Sequence, residues 1–542
     1  MCGIWGIIST SPVQVSEEMS KCFQSVQERG YDGTNLVSVG NSQMGFHRLA
    51  IVGLGESGNQ PFHYEDEKYH YYMVCNGEIY NYQELNSLFL TGTEVEPKSG
   101  SDCEVLFRLL ITLGKSLRMS LVRGVYAGVF SKLHKKSGTA IHYIFRDTFG
   151  VRPLYYAITP KRVYYSSTLS GLNYLSHEVK QFPPGNVLSV KHPIGCEYHT
   201  YKYHKFHGNM TPEYSRNYPI NLAPKIVRES LIRAVRVQSY SDRPICCLLS
   251  GGVDSSLVAS ILAYYSPVPI HTFTISTEAG GLDVEFAEKV AKHIGSIHTH
   301  VRVSTEQALG VIPDVIRSIS TYDTTTVRAS TWQYLICQYI AKNTDFKVVF
   351  CGDGSDEVHG SYLYFKYAPS AVDFDSECRR LVSNIHHFDV RRADGATSCH
   401  ALELRVPFLD TEYVTNYLHL NLRARISHIE KQLLRAAFNC KVPDGSRDWL
   451  PLEVLNRRKE AFSDSTSTIE EPWRETVRKH VSTLELSNKK YTYLPPVTDE
   501  MRWYRELFEQ HFQNRETVVP YFWMPKWILV PDGEPSARVY AE

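Results

Sequence analysis

The chain has 542 residues, beyond the length at which one hydrophobic core keeps growing, so at least two domains are expected. Lys plus Arg and Asp plus Glu each total 58, leaving no excess positive charge for a nucleic-acid backbone or an anionic bilayer. With 43% hydrophobic and 21% charged residues, no apolar run near the ~20 residues of a membrane span and no signal-like start, the sequence predicts a folded, cytoplasmic protein whose partners include neither nucleic acid nor membrane.

The chain begins MCGIWG, a cysteine directly behind the initiator methionine. Residues 16–30 place Met19, Cys22, Phe23 and Val26 on one face, behind a Ser cap and before a Gly, which predicts one amphipathic helix. Short apolar or alternating runs at 70–75, 125–130, 140–145 and 162–167 predict a sheet-rich domain ending near residue 200. Three polar clusters interrupt it: HRLAIV (47–52), NGEIYN (76–81) and SGSD (99–102). Singly, each is explained as turn chemistry, since Asn-Gly is a hairpin signal. Together with Cys2 they supply what thiol hydrolysis of an amide needs: a nucleophile, a guanidinium and a carboxylate for an amino-acid head group, and an Asn beside a Gly N–H for an oxyanion.

Residues 192–221, rich in His, Tyr, Pro and Gly without apolar period, read as a linker; the histidines lack partners at metal-ligand spacing. The twelve cysteines form no Cys-x-x-Cys pair and most read as buried reduced thiols. Beyond the linker, Val227, Leu231, Ala234 and Val235 share a helical face, and strands at 245–249, 270–275 and 347–351 alternate with helices at 254–265 and 282–294. Continuous apolar strands alternating with helices predict an α/β domain with a parallel sheet. At the end of its first strand stands LLSGGVDSSLVAS, glycines and hydroxyls leading into a helix, the context for a phosphate site; Asp254 adds a carboxylate for Mg²⁺.

In chain order, MCGIWG, ERGYDG, FHRLAIV, CNGEIYN, GSD and FRDTFGVRPLYY resemble the glutaminase domain of class II glutamine amidotransferases. The resemblance implies an antiparallel αββα sandwich, loss of Met1, and attack by the Cys2 thiolate on a glutamine side chain with its own α-amine moving the proton. It also implies that 48–52 (Arg48, Leu49, Ala50, Ile51, Val52), Glu78 and Asp102 bind glutamine, and that Asn76 and Gly77 form the oxyanion hole. One departure is visible: the family reads Arg-Gly-Pro-Asp where this chain has Arg29-Gly30-Tyr31-Asp32.

The second half, through the string at 250–256, resembles the ATP pyrophosphatases, and through TYDTTTVRAS, CGDGSDEVHGSY, ELRVPFLD, IEKQLLRAAF, RRKEAFSD and a tail YFWMPKW it resembles the synthetase domain of glutamine-hydrolysing asparagine synthetases of the animal type. The domains implied are 2–200 and 201–542. Implied in ATP binding are Leu248, Ser250, Gly251, Gly252, Asp254, Ser255, Ser256, Ile275, Cys351, Gly352, Asp356 and Lys459. Asp254 and Asp356 would hold Mg²⁺, and Thr325 and Arg328 would face an aspartyl adenylate. The substrates implied are glutamine, aspartate and ATP, the assembly a homodimer, and the released ammonia would travel along an apolar passage. Cys351 and Asp353 stand where the family has Ser and Glu; Asp353 keeps the catalytic carboxylate but withdraws it by about 1.5 Å. Tyr31, Cys351 and Asp353 together motivate a rival, a catalytically weakened paralogue binding nucleotide or a partner. A second rival, a β-lactam-forming type of ligase, is opposed by the intact Cys2, Arg48, Asn76 and Asp102 set. The tail's aromatic residues are expected to pack without chemistry.

Overall fold

The computed structural model describes all residues except 115–116, 193–196, 203–218, 282, 458–471, 529 and 531–542. It divides into two compact units. The first is Met1–Lys205 with two short returns of the chain, Ser241–Arg243 and Ser398–Glu403; the second comprises Phe206–Tyr240, Pro244–Thr397 and Leu404–Glu542.

The first unit is built from β1 (Gly3–Ser9), β2 (Gly33–Val39), β3 (Ser42–Arg48), β4 (Phe62–Glu65), β5 (Tyr69–Ile79), β6 (Gly124–His134), β7 (Ala140–Arg146), β8 (Tyr155–Ile158), β9 (Arg162–Ser166), β10 (Lys180–Gln181), β11 (Asn186–His192) and β12 (Glu197–Lys202). They form two six-stranded sheets, β10-β8-β9-β1-β3-β2 and β12-β11-β7-β6-β5-β4. Strand alternation builds the layers. Val74 of β5 lies in the apolar core shared with Ile4, Phe46, Val129 and Ile144 of both sheets. Its neighbours Met73 and Cys75 point the other way, onto Leu106 and Phe107 of the helix Asp102–Leu113. On the opposite outer face Phe23, from the helix Glu17–Gln24, packs on Trp5 (5.7 Å) and stacks on His47 (4.2 Å). Helix, sheet, sheet and helix follow one another, the αββα sandwich that the sequence implied.

The helix expected over 16–30 is shorter. Ser16 caps it by accepting the Met19 N–H, but it ends at Gln24, where the Ser25 hydroxyl bonds back to the Cys22 carbonyl. Gly30 is not a left-handed cap: its backbone is extended, and a Cβ there would lie 2.4 Å from the Arg48 carbonyl oxygen. Asn76-Gly77 is not a hairpin turn either, for both residues sit inside β5, paired with Ala127 and Tyr126. Part of the expected linker is a strand, β12, hydrogen-bonded to β11; residues 193–196 and 203–218 of it lie outside the described residues.

The second unit centres on a sheet of β13 (Ile245–Leu248), β14 (His271–Thr277), β15 (Ile297–Val303), β16 (Val348–Phe350) and β17 (Glu403–Arg405), in the order β15-β14-β13-β16-β17. β13 runs parallel to both β14 and β16, and β14 parallel to β15. The helix Ala223–Gln238 buries Val227, Leu231, Ala234 and Val235, and the helix Val253–Tyr265 buries Leu257, Val258, Ile261 and Leu262. Each fully buried side chain of this kind contributes about 1.5–3 kcal/mol of transfer free energy. The chain winds outward from β13 in one direction and from β16 in the other. A parallel sheet binds its ligand at that reversal, beyond the carboxyl ends of the two strands.

Candidate functional site

In the first unit Cys2 immediately precedes β1, and its sulfur is held by one residue. Sγ accepts the Leu49 N–H at 3.4 Å and donates to the Leu49 carbonyl at 3.5 Å. The Cys2 carbonyl accepts from Arg29 Nε at 2.9 Å. Leu49 is brought there because glycine at position 30 lets the two backbones touch, and because Asp32 grips the same loop: its Oδ2 accepts the Ala50 N–H at 2.8 Å and its N–H donates to the Arg48 carbonyl. Tyr31, where the family has Pro, is 65% exposed, so the loop keeps its shape through Gly30 and Asp32 instead of a ring-fixed φ.

Residues 49–52 are buried. Arg48 organises the segment after them, with Nη1 on the Gly55 carbonyl (2.7 Å) and Asn59 Oδ1 (3.1 Å), and Nη2 on the Gly53 carbonyl. Burial pushes the Cys2 thiol up to about 11, against the pull of the neighbouring terminal ammonium and of Arg48. Burial also pushes the Met1 ammonium down to about 5.

β5 carries the next expected residues. Asn76 is 1% exposed, and neither its amide nitrogen nor its oxygen has a hydrogen-bond partner among the described residues. An orphaned buried amide costs about 1–3 kcal/mol, so it marks a place where a ligand completes the bonding. A Cβ on Gly77 would lie 2.6 Å from the Val125 carbonyl, which explains the glycine. Asp102, at the start of its helix, accepts the Ile79 N–H at 2.6 Å, and the Cys103 thiol donates to the Gly77 carbonyl, tying that helix to the strand bearing Asn76, Gly77 and buried Glu78.

In the second unit the loop after β13 is knitted by hydroxyls. Ser250 N–H donates to Ser255 Oγ at 3.1 Å, the two hydroxyls lie 3.0 Å apart, and Gly252 N–H reaches Ser250 Oγ at 3.4 Å. Gly251 has φ +72°, and a Cβ on it would meet the Ala287 nitrogen at 2.6 Å; no other residue type fits. The Ser256 hydroxyl is buried without a partner among the described residues. The loop after β16 meets this one: a Cβ on Gly352 would lie 2.9 Å from the Ser255 nitrogen. Leu248 ends β13, and Ile275 is buried in the adjacent β14.

The two loops share a buried cation. Asp254 Oδ1 accepts the Ser355 hydroxyl at 2.7 Å, and its Oδ2 pairs with Lys431, which also lies 2.5 Å from Asp356 Oδ1. Burial pulls the Lys431 ammonium down, but Asp254 and Asp356 outweigh it and hold the group above the ordinary lysine range. Lys431 has φ +56°, a conformation L residues seldom adopt. Its own motif does not mark it, since a lone Lys between Glu and Gln carries no signal of two distant carboxylates. The same convergence bears on Mg²⁺. Two carboxylates drawn to one positive charge are oxygen donors of the kind Mg²⁺ takes, so the residues fit it.

Asp353 is fully engaged: Oδ1 accepts from Arg392 Nη2 at 2.7 Å and Oδ2 from the Cys351 thiol at 3.0 Å. The two departures from the family pattern therefore touch each other. Thr325 donates to Asp323 Oδ2 at 2.8 Å near the start of the helix Thr324–Asn343, and Arg328, one turn on, makes a buried bidentate pair with Glu500, at 2.8 and 2.5 Å. The tail packs as expected, Trp523 on Tyr362 at 5.3 Å and Trp527 on Phe365 at 5.9 Å. It also does more, for the Trp523 N–H donates to Asp323 Oδ1 at 2.7 Å, bracing the cap of the helix that bears Thr325 and Arg328. Lys459 lies outside the described residues.

Comparison with known proteins identifies the family. Residues 1–200 match the family model described as a glutamine amidotransferase domain, and residues 226–379 and 368–529 match the model described as asparagine synthase. The chain is 37% identical to the asparagine synthetase [glutamine-hydrolyzing] of Homo sapiens and 36% identical to that of Gallus gallus, each over 99% of this chain and 98% of the relative. A probable asparagine synthetase [glutamine-hydrolyzing] of Acanthamoeba polyphaga mimivirus is 33% identical over 99% of this chain and 100% of its own length. Among solved structures, a glutamine phosphoribosylpyrophosphate amidotransferase from B. subtilis covers 56% of this chain at 15% identity and a TM-score of 0.33, too little to carry an argument.

Proposed function

As the chain belongs to the glutamine-hydrolysing asparagine synthetase family, we propose that it converts L-aspartate, ATP and L-glutamine into L-asparagine, AMP, diphosphate and L-glutamate. The observation that carries this reading is the coexistence in one chain of a thiol site with an orphaned amide, at Cys2 and Asn76, and a glycine-hydroxyl loop joined to a buried Asp254–Lys431–Asp356 cluster. Residues 2–200 do the first job and 201–542 the second.

After loss of Met1 the Cys2 thiolate attacks the side-chain carbonyl of glutamine. Negative charge gathers on the carbonyl oxygen, and the Asn76 amide, unpartnered among the described residues, and the Gly77 N–H would donate to it. Arg48 and Asp102 hold the substrate's carboxylate and amine, with Glu78 beside them. The α-amine that loss of Met1 frees on Cys2, a group whose ordinary pKa is about 7.7–8.0 and which is therefore partly neutral near pH 7, takes the thiol proton and passes it to the departing ammonia. Water then releases glutamate.

In the second unit the aspartate β-carboxylate attacks the α-phosphorus of ATP and diphosphate departs. The loop at 250–256 and the Lys431 ammonium face the leaving group's charge, and Leu248 and Ile275 bound the adenine side. Asp254 and Asp356 would hold Mg²⁺, which supplies positive charge to the phosphates when bound. Thr325 and Arg328 sit toward the aspartyl end, and Asp353 manages the ammonia proton as the amide forms. The eleven cysteines among the described residues are all free thiols, which suits a reducing cytoplasmic setting.

Diphosphate release tests the reading when followed with and without aspartate, and with glutamine or ammonia as the nitrogen source. Aspartate-dependent release with either source is expected; release indifferent to aspartate defeats the proposal, and silence in every condition favours the weakened paralogue.

A further inference from the structure

Away from both sites, two imidazoles and a carboxylate converge on the hairpin of β4 and β5. The register sets Glu65 opposite His70 and His63 opposite Tyr72, and alternate residues of a strand share a face. His63 Nε2 lies 3.4 Å from His70 Nδ1, which lies 3.1 Å from Glu65 Oε2, and the three ligand atoms fall within 4.8 Å of one another. For metal–nitrogen bonds of about 2.0–2.1 Å, a tetrahedral site separates its ligands by about 3.3 Å, so the two nitrogens already stand near ligating distance.

The platform is ordered before any ion arrives. His63 stacks on Tyr72 with ring centres 4.6 Å apart, and Asp66 pins the turn by accepting the N–H groups of Lys68 and Tyr69.

We propose that His63, Glu65 and His70 form a binding site for a divalent first-row transition cation, Zn²⁺ in particular, with water in the fourth position. Two imidazoles and one carboxylate suit that class and not Mg²⁺ or Ca²⁺, which take oxygen. The Lys135 ammonium, 3.0 Å from Glu65 Oε2, is the competitor the ion must displace. From His70 to Asn76 along β5 is six residues, about 20 Å, so the ion fastens the hairpin and takes no part in glutamine chemistry.

The test is Zn²⁺ binding to the full chain by equilibrium dialysis against a competing chelator, with Mg²⁺ in excess. Wild type should bind one more Zn²⁺ per chain in the micromolar range than His63→Ala or His70→Ala. Lys135→Ala should bind that ion several-fold more tightly. Zn²⁺ should raise the melting temperature of wild type and not of the His variants, whose melting without Zn²⁺ matches wild type and shows that they fold. Identical Zn²⁺ binding in wild type and both His variants, or weaker binding in Lys135→Ala, overturns the proposal.

Discussion

The two sites solve opposite problems. Around Cys2 one group is left waiting: the Asn76 amide has no partner among the described residues, while the thiol and Arg48 are held by the loop that follows β3. Around Asp254 the charges are already satisfied, Lys431 by two carboxylates, Arg328 by Glu500 and Asp353 by Arg392 and Cys351. The difference follows from the ligands. A neutral amide develops charge only in the transition state, so its donors must be fixed beforehand. A nucleotide arrives highly charged, and a site with unpaired buried ions would pay several kcal/mol per ion while empty. The second site therefore exchanges partners where the first completes them.

That contrast predicts which nitrogen source each substitution affects. The largest effect belongs to Cys2→Ala: glutamine-dependent synthesis should fall by at least about 10³-fold while synthesis from ammonia persists, measured as asparagine formed. Chains that retain Met1 sharpen the point. With the thiol pushed up to about 11, its alkylation should be negligible at pH 7 and rise about tenfold per pH unit toward 10, followed by intact mass. Asn76→Ala should cost about 10²–10³ in kcat with glutamine and leave ammonia use intact. Lys431→Met should cost about 10² with both sources and lower the melting temperature, because two carboxylates lose their shared cation. Equal retention of activity with both sources would break the comparison at its second half.

Asp353→Glu carries the smallest effect. Asp353 is held on both oxygens, one of them by the other residue that departs from the family pattern, so the shorter carboxylate has a built seat. Lengthening it should raise ammonia-dependent synthesis by less than about tenfold. A loss instead of a gain would mean that Cys351 and Asp353 work as a matched pair.

Much of this was legible in the sequence because it rests on local pattern. β13, β14 and β16 are apolar and β-branched or sulfur-bearing runs between helices, and each was read. β15, IHTHVRV, was not: its His298 and His300 bond across to Thr272 and Ser276, so its polar residues are satisfied by a neighbouring strand that local sequence cannot show. β17 is three residues long, too short to carry a period. The thiol motif and the glycine loop were visible as strings, whereas Lys431 and the Glu500 partner of Arg328 were not, since each acts at a sequence separation of 75 residues or more. Asn76-Gly77 was read as a turn or an oxyanion hole; pairing with β6 places it in a strand, where only tertiary contacts decide.

The most direct test of the account follows glutamine labelled with ¹⁵N in its amide through the mature enzyme with aspartate and ATP. One glutamate, one AMP and one asparagine bearing the label should appear together. Glutamate formed without labelled asparagine, or AMP formed without aspartate, would contradict the claim that nitrogen freed at Cys2 is spent on an aspartyl adenylate.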